Sequence, residues 1–180
     1  MKFMDQDKLE NKKIGLLGGS FDPAHLGHIK ISKVAKKKYN LKHVIWAITK
    51  QNPFKKKNSN DLKKRIAYSK KINKKNKFIK IECFEDKIKS NRTIDLIKYL
   101  KKKFENTEIY FIMGADNLLN FHKWKGCNSI TKLCKILVFD RKGYKSKALR
   151  SKAYIKYNKN AVEFIKFNKV NISSSQLRKI

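Results

Sequence analysis

Apolar residues along the chain fall into two alternating patterns. Short continuous apolar runs, typical of strands buried on both faces, alternate with longer segments in which apolar residues recur every three or four positions, as on one face of a helix. The runs predict strands at 13–18, 43–49, 78–84, 108–113, 135–139 and 162–167. The periodic segments predict helices at 29–39, 61–72, 92–104, 129–133 and 174–180, with a further short helix directly after the strand at 108–113.

Strands that alternate with helices favour an α/β fold. Right-handed crossovers between successive strands predict a Rossmann-like three-layer fold, in which a mostly parallel sheet carries helices on both faces. A length of 180 residues suits a single domain, 1–180, with residues 1–12 as a polar N-terminal extension. The polar and basic segment 142–160 is expected to be its most mobile part.

Ligands of such sheets bind beyond the carboxyl ends of the strands. Four stretches that are rich in glycine or polar side chains follow predicted strands, and they lie at 18–28, 51–55, 114–117 and 172–178. The sequence therefore predicts one site assembled from separate parts of the chain.

The net charge is strongly positive, since 46 Lys and Arg residues stand against 14 Asp and Glu, for a formal charge of +32. Such an excess favours anionic partners: nucleic acid, an anionic membrane surface or phosphorylated small molecules. Only five of the basic residues are Arg, whereas base recognition relies on the bidentate Arg fork. Lys, Asn and Ile are abundant together, which indicates compositional drift of the surface. We therefore expect no specific nucleic-acid partner.

The cysteines and the N-terminus bear on the compartment. Three cysteines without C-x-x-C spacing argue against a disulfide framework or a zinc ribbon and fit a reducing environment. Residues 1–12 lack the apolar stretch of a secretory signal, and no apolar run approaches the length of a membrane span. We expect a cytoplasmic protein with no membrane partner, and a homo-oligomer is possible.

The stretch Gly-Gly-Ser-Phe-Asp-Pro-Ala-His-Leu-Gly-His, residues 18–28, joins the first predicted strand to the first predicted helix. Glycines let the backbone approach a ligand, and the free N–H groups of a helix start attract anions. His25 and His28 add side-chain donors, so the stretch predicts a phosphate-binding turn. One alternative is an ordinary turn capped by Asp22. Another is an H-x-x-H metal site, for which no further His or Cys is suitably placed.

This stretch resembles the H-x-G-H signature of the nucleotidylyltransferase superfamily, and other stretches resemble bacterial nicotinate-nucleotide adenylyltransferases. The resemblance spans residues 13–178. In Arg-Thr-Ile-Asp at 92–95, Arg92 stands where the family usually has an aromatic residue. The other matching stretches are Asn-Pro-Phe-Lys at 52–55, Gly-Ala-Asp-Asn at 114–117, Phe-His-Lys-Trp at 121–124 and Ile-Ser-Ser-Ser-Gln-Leu-Arg at 172–178.

The resemblance implies an enzyme that transfers the adenylyl group of ATP to nicotinate mononucleotide, giving deamido-NAD and pyrophosphate. Mg²⁺ would accompany ATP, and no covalent enzyme intermediate is expected. The implied catalytic residues, which contact the phosphates, are His25, His28, Lys55 and Arg178. The implied ATP-binding residues are Gly18, Gly19, Ser20, Phe21, Gly114, Asp116, Ser173, Ser174 and Ser175. The implied nicotinate-nucleotide-binding residues are Thr93, Asn117 and Trp124.

Each assignment has a competing interpretation. Thr93 and Asp116 suit helix caps, and Trp124 suits a packed core. The acceptor could instead be nicotinamide mononucleotide or pantetheine phosphate. His25, the Gly-Ala-Asp-Asn stretch and Trp124 disfavour pantetheine phosphate as the acceptor. The same three features disfavour a cytidylyltransferase of the glycerol-3-phosphate type. From another class, the chain could be a non-catalytic, Lys-rich nucleic-acid-binding protein.

Overall fold

The computed structural model describes residues 12–51, 60–141 and 143–166, and its centre is a six-stranded sheet. The strand order is β3-β2-β1-β4-β5-β6, and every pairing between neighbours is parallel. This confirms the predicted Rossmann-like fold, with a sheet that is parallel throughout these six strands. The strands are β1 (Lys12–Gly19), β2 (His43–Ile48), β3 (Ile79–Glu82), β4 (Thr107–Gly114), β5 (Lys135–Phe139) and β6 (Val162–Ile165).

The strand order reverses at β1, which pairs with β2 on one side and with β4 on the other. In the ladder Leu17 lies opposite both Trp46 and Ile112, so the three strands end at the same edge of the sheet. A reversal of strand order opens a crevice beyond the carboxyl ends of the strands, where nucleotides bind in folds of this kind. The predicted site stretches that follow β1 and β4 therefore meet at one edge, while the stretch 51–55 after β2 lies, apart from Gln51, outside the described residues.

Helices cover both faces of the sheet and give the three predicted layers. Alternate residues of a strand point to opposite faces, so Leu16 packs with Ile97 in the core on one face of the sheet, while Leu17 packs with Ala35 in the core on the other face. The helices are α1 (Leu26–Tyr39), α2 (Leu62–Ile72), α3 (Glu85–Ile88), α4 (Thr93–Lys103), α5 (Ala115–Leu118), α6 (Cys127–Leu133), α7 (Lys145–Leu149) and α8 (Lys152–Tyr157), with a 3₁₀ turn at Phe121–Lys123.

The structure departs from the sequence-based expectations in a few places. Two helices that the sequence did not predict, α7 and α8, lie within segment 142–160 and pack on the core through the buried residues Ala148 and Ala153. The strand expected at 78–84 ends at Glu82, because Phe84 turns into the core and precedes the unpredicted α3. The helix expected at 174–180 lies outside the described residues. Within the described ranges, no helix is long and apolar enough to cross a membrane.

Candidate active site

The turn between β1 and α1 is shaped by a left-handed residue and by two buried polar side chains. Gly19 ends β1, and Phe21 follows with a φ of 48°, a conformation that reverses the chain sharply. Ser20 and Asp22 are both buried. Asp22 accepts a hydrogen bond of 2.8 Å from Asn60 Nδ2 and is not the helix cap considered from the sequence.

His25 and His28 cap the start of α1 reciprocally. His25 is the N-cap residue, and its Nδ1 accepts from the Gly27 N–H at 3.1 Å. His28 Nδ1 accepts from the His25 N–H at 3.1 Å. A ring nitrogen that accepts a hydrogen bond carries no proton, so in each neutral imidazole the proton lies on Nε2. The turn thus fixes the tautomer of both rings, whose centroids are 3.8 Å apart, with Nε2–H as the donor.

The charge state of His25 follows from its surroundings. Burial first, and then the nearby positive charge of Arg141, together lower the pKa of His25 to about 4. His25 is therefore neutral at pH 7, and it presents a neutral donor rather than a fixed cation.

A buried aromatic support, which the sequence did not reveal, lies beneath His28. Phe21 stacks on Trp46 with ring centroids 4.8 Å apart, and the His28 ring lies 4.8 Å from Phe21 and 5.7 Å from Trp46. Trp46 Nε1 donates to Ser32 Oγ at 2.9 Å, and Ser32 Oγ donates to the His28 carbonyl at 2.8 Å. Trp46 and Ser32 are fully buried, so the position of His28 is fixed by packing and by a short hydrogen-bonded chain.

Gly114 and Asp116 stand at the end of β4, next to the turn. A Cβ atom on Gly114 would lie 2.5 Å from Asp116 Oδ1, so this carboxylate requires glycine there. Asp116 Oδ2 is paired with Arg141, while the buried Oδ1 has no hydrogen-bond partner among the residues that the structure describes. A buried acceptor without a partner in the protein suits a ligand hydroxyl. Asp116 makes no cap bond to α5, whose N-cap is Gly114.

Arg141 follows β5 and was not singled out from the sequence. It forms the ion pair with Asp116 and lies close enough to His25 to lower the pKa of that ring. Arg141 therefore connects the ends of β4 and β5 to the turn after β1. Its local sequence, one basic residue in a basic loop, gives no sign of this role.

The segments of the predicted acceptor site adjoin one another. Thr93 is the first residue of α4, after the N-cap Arg92, so it is not the helix cap considered from the sequence. Trp124 is half-buried, edge-on to Phe121 and Phe111 at 5.5 Å and 6.1 Å between ring centroids. Its packing on the core leaves part of the ring accessible. Gly126, with a φ of +77°, brings the turn after Trp124 against α4, where a Cβ would meet Ile94 at 3.1 Å.

A polar cleft of about 610 Å³ lies between the chain after β2 and the connection from α3 to α4. Lys50 and Arg92 are among its lining cations, and Asp86, which is paired with Lys50, lies beside them. The cleft borders the start of α4, because Arg92 and Asp95 are among its lining residues.

Comparison with known proteins assigns the chain to a family. Residues 16–180 match the family model described as cytidylyltransferase-like. A probable nicotinate-nucleotide adenylyltransferase of Pelagibacter ubique (strain HTCC1062) is 64% identical over 168 residues, which are 93% of this chain and 93% of the relative. The chain belongs to the nicotinate-nucleotide adenylyltransferase family. A second member, from Aquifex aeolicus (strain VF5), is 36% identical over 89% of this chain and 98% of its own length.

Solved structures agree with this family assignment at the level of the fold. Plasmodium falciparum nicotinic acid mononucleotide adenylyltransferase complexed with NaAD aligns with a TM-score of 0.74, over 93% of this chain and 83% of that chain. Its sequence identity is 21%, so the likeness supports the three-layer fold.

Five of the predicted site residues lie outside the described part of this family member: Lys55, Ser173, Ser174, Ser175 and Arg178. Their roles stay predictions, while the structure brings the turn containing His25 and His28 near Arg141 and Asp116. Nucleotidyltransferases of this kind generally use a divalent metal ion with ATP. Among the described residues, no group of three or more His, Cys, Asp or Glu side chains is placed to hold one.

Proposed function

We propose that this protein transfers the adenylyl group of ATP to nicotinate mononucleotide, giving deamido-NAD and pyrophosphate in NAD biosynthesis. The observation that carries the proposal is the 64% identity, over 93% of both chains, to a relative that bears this enzyme's name. The paired histidines at the start of α1 supply chemistry that suits transfer at a phosphate.

In the proposed reaction, a phosphate oxygen of nicotinate mononucleotide attacks the α-phosphorus of ATP. The bond from the α-phosphorus to the bridging oxygen breaks in line with the attack, and its electron pair leaves with pyrophosphate. The enzyme need only position the two phosphates and stabilise the developing charge. The Nε2–H groups of His25 and His28 would donate to phosphoryl oxygens at the start of α1. Lys55 and Arg178 would add positive charge.

The adenosine would bind beside this turn. Backbone groups of residues 18–21 would contact the nucleotide where glycine leaves room for it, and residues 173–175 would provide hydroxyls and N–H groups. Gly114 would allow close approach of the sugar, and Asp116 Oδ1, which has no hydrogen-bond partner within the described part of the chain, would accept a ribose hydroxyl. Arg141 would hold the Asp116 carboxylate in place for that contact.

The acceptor nucleotide would occupy the space between the start of α4 and the 3₁₀ turn. Trp124 has an accessible ring on which a pyridine can stack, while Thr93 and Asn117 have polar side chains for the rest of the nucleotide. We further propose that Mg²⁺ enters bound to ATP, as part of the substrate. The three free cysteines suit a cytoplasmic site of action.

An acceptor panel tests the proposal. Pyrophosphate release is followed with ATP alone and with ATP plus nicotinate mononucleotide, nicotinamide mononucleotide or 4′-phosphopantetheine, and the dinucleotide product is weighed by mass spectrometry. We expect nicotinate mononucleotide to give the highest kcat/KM. A higher kcat/KM with either other acceptor would refute the assigned substrate, and release with none of them would refute adenylyl transfer.

A further inference from the structure

Arg65 is a buried cation on α2 that contacts only the main chain in its hydrogen bonds within the described residues. It is 3% exposed. Its Nη1 donates to the Ser20 carbonyl at 2.6 Å and to the Thr49 carbonyl at 2.8 Å. Its Nη2 donates to the Lys50 carbonyl at 2.9 Å, and its Nε donates to the Asn60 carbonyl at 3.1 Å. Four of the five N–H donors of one guanidinium are thereby used.

These four carbonyls belong to two different connections at the site edge of the sheet, β1 to α1 and β2 to α2. Ser20 lies in the turn after β1, Thr49 and Lys50 lie directly after β2, and Asn60 precedes α2. Asn60 also donates through its side chain to Asp22 of the same turn, at 2.8 Å. Arg65 thus ties the phosphate-binding turn to the chain that leaves β2.

Only arginine can make this connection. Its planar guanidinium spreads five donors over a rigid fork, whereas the ammonium group of lysine concentrates three donors at one point. Burial lowers the pKa of Arg65, which reflects the cost of removing this cation from water. Hydrogen bonds from a charged donor are stronger than neutral ones, so the arrangement is stiff once formed.

Glu85 of α3 holds the same peptide from the opposite side. One oxygen of its carboxylate, Oε1, accepts from the Lys50 N–H at 3.0 Å and also from the Thr49 hydroxyl. Arg65 donates hydrogen bonds to the carbonyls of Thr49 and Lys50, while Glu85 accepts hydrogen bonds from the Lys50 N–H and the Thr49 hydroxyl. The chain after β2 is therefore fixed by a cation and an anion together.

We propose that Arg65 is a positioning residue for adenylyl transfer, which fixes the phosphate-binding turn relative to the chain after β2. The proposal rests on the proposed function. Arg65 acts through the carbonyls of Ser20 and Thr49, without touching a substrate. Its effect falls on the in-line alignment of the two phosphates, because Gly114 at the end of β4 and Asp116 in α5, on the proposed adenosine side, are not among the described residues to which it donates.

The test compares Arg65→Met and Arg65→Lys with wild type in ATP plus nicotinate mononucleotide. The kcat is expressed per folded molecule, and KM for ATP is measured separately. Misplacing reacting groups by about 1 Å costs on the order of 100-fold, so we expect kcat of Arg65→Met to fall about 100-fold. We expect KM for ATP to stay within about threefold, since a loss confined to the transition state lowers kcat alone. Arg65→Lys keeps the charge but not the fork, so it should recover less than about a tenth of the wild-type kcat.

The matched control is Ile66→Ala, at the next position of α2. Ile66 packs on the core without any of the four hydrogen bonds, so this variant should lower the melting temperature and leave kcat per folded molecule near wild type. If the Arg65 variants do not fold, Glu85→Ala tests the other half of the same contact, and its kcat should fall about tenfold with KM for ATP unchanged.

The outcomes separate this proposal from the function on which it rests. Wild-type protein that is inactive with ATP and nicotinate mononucleotide would refute the function and the positioning role with it. If the wild type is active and Arg65→Met has a near-normal kcat, only the positioning role is refuted. The same conclusion follows from a near-normal kcat in Glu85→Ala if the Arg65 variants do not fold. A wild-type kcat in Arg65→Lys would show that a positive charge alone suffices. A loss of kcat in Ile66→Ala equal to the loss in Arg65→Met would show general destabilisation. Either result overturns the proposal.

Discussion

His28 performs two tasks through two different nitrogens, and two substitutions can separate them. Its Nδ1 accepts the His25 N–H and so closes the cap of α1, while its Nε2–H is the proposed donor to a phosphoryl oxygen. In His28→Asn the amide oxygen can stand where Nδ1 was, and no atom reaches the position of Nε2. In His28→Gln the amide nitrogen can reach the position of Nε2, while the acceptor near the backbone is lost.

One variant should therefore lose mainly stability, and the other should lose mainly kcat. Loss of a cap costs about 1 kcal/mol, and in a chain of this length that lowers the melting temperature by about 2–4 °C. Loss of one donor to the transition state lowers kcat by about 10²–10³-fold. His28→Gln should show mainly the first effect. His28→Asn should show mainly the second, with a smaller loss of stability from reduced packing on Phe21 and Trp46.

The assay measures kcat from pyrophosphate release with saturating ATP and nicotinate mononucleotide, and the melting temperature of the same preparations by circular dichroism. A wild-type kcat in His28→Asn would refute the proposed donor role of Nε2. A loss of kcat in His28→Gln as large as in His28→Asn, at equal stability, would show that the ring itself is needed rather than a donor at Nε2.

Three further predictions concern charge, space and buried hydrogen bonds. The NMR titration midpoint of His25 should be about 4 and should rise in Arg141→Gln. Because the unfolded chain binds this proton more tightly than the folded protein does, the free energy of unfolding should fall as pH decreases from 6.5 to 4. A wild-type midpoint near 6.5 would contradict this prediction. Gly114→Ala should raise KM for ATP by about tenfold or more with little change in melting temperature, because its Cβ displaces the Asp116 carboxylate; an unchanged KM would exclude that contact. Ser32→Ala removes the acceptor of a buried indole N–H and should cost about 1–3 kcal/mol in urea denaturation, whereas a loss below about 0.5 kcal/mol would show that the bond contributes little.

The strands and the site edge could be predicted because strands of a parallel sheet are buried on both faces and appear as continuous apolar runs. The helix α2 could be predicted, but its most buried residues could not, because they are the polar Arg65 and Ser69 rather than members of an apolar pattern. In a helix rich in lysine, nothing local distinguishes a buried arginine from a solvated one. Arg65 is recognisable only once the fold brings the carbonyls of two connections around it.

The cap of α1 illustrates a second limit. Asp is among the preferred N-cap residues and His is not, so residue preferences favour Asp22 as the cap in the alternative of an ordinary turn. In the structure the cap is His25, because His28 returns a ring nitrogen to its N–H. The tautomers of the two rings depend on this reciprocal geometry, which no residue preference encodes. Likewise, α7 and α8 are anchored by alanines among lysines, a pattern too weak to predict helices.

The central claim is that the acceptor's phosphate attacks the α-phosphorus of ATP. Nicotinate mononucleotide labelled with ¹⁸O in its phosphate tests this directly, with both products analysed by mass spectrometry. Attack by the acceptor's phosphate gives one pyrophosphate per deamido-NAD, with all of the label in deamido-NAD and none in pyrophosphate. Label in pyrophosphate, or pyrophosphate formed without deamido-NAD, would contradict it.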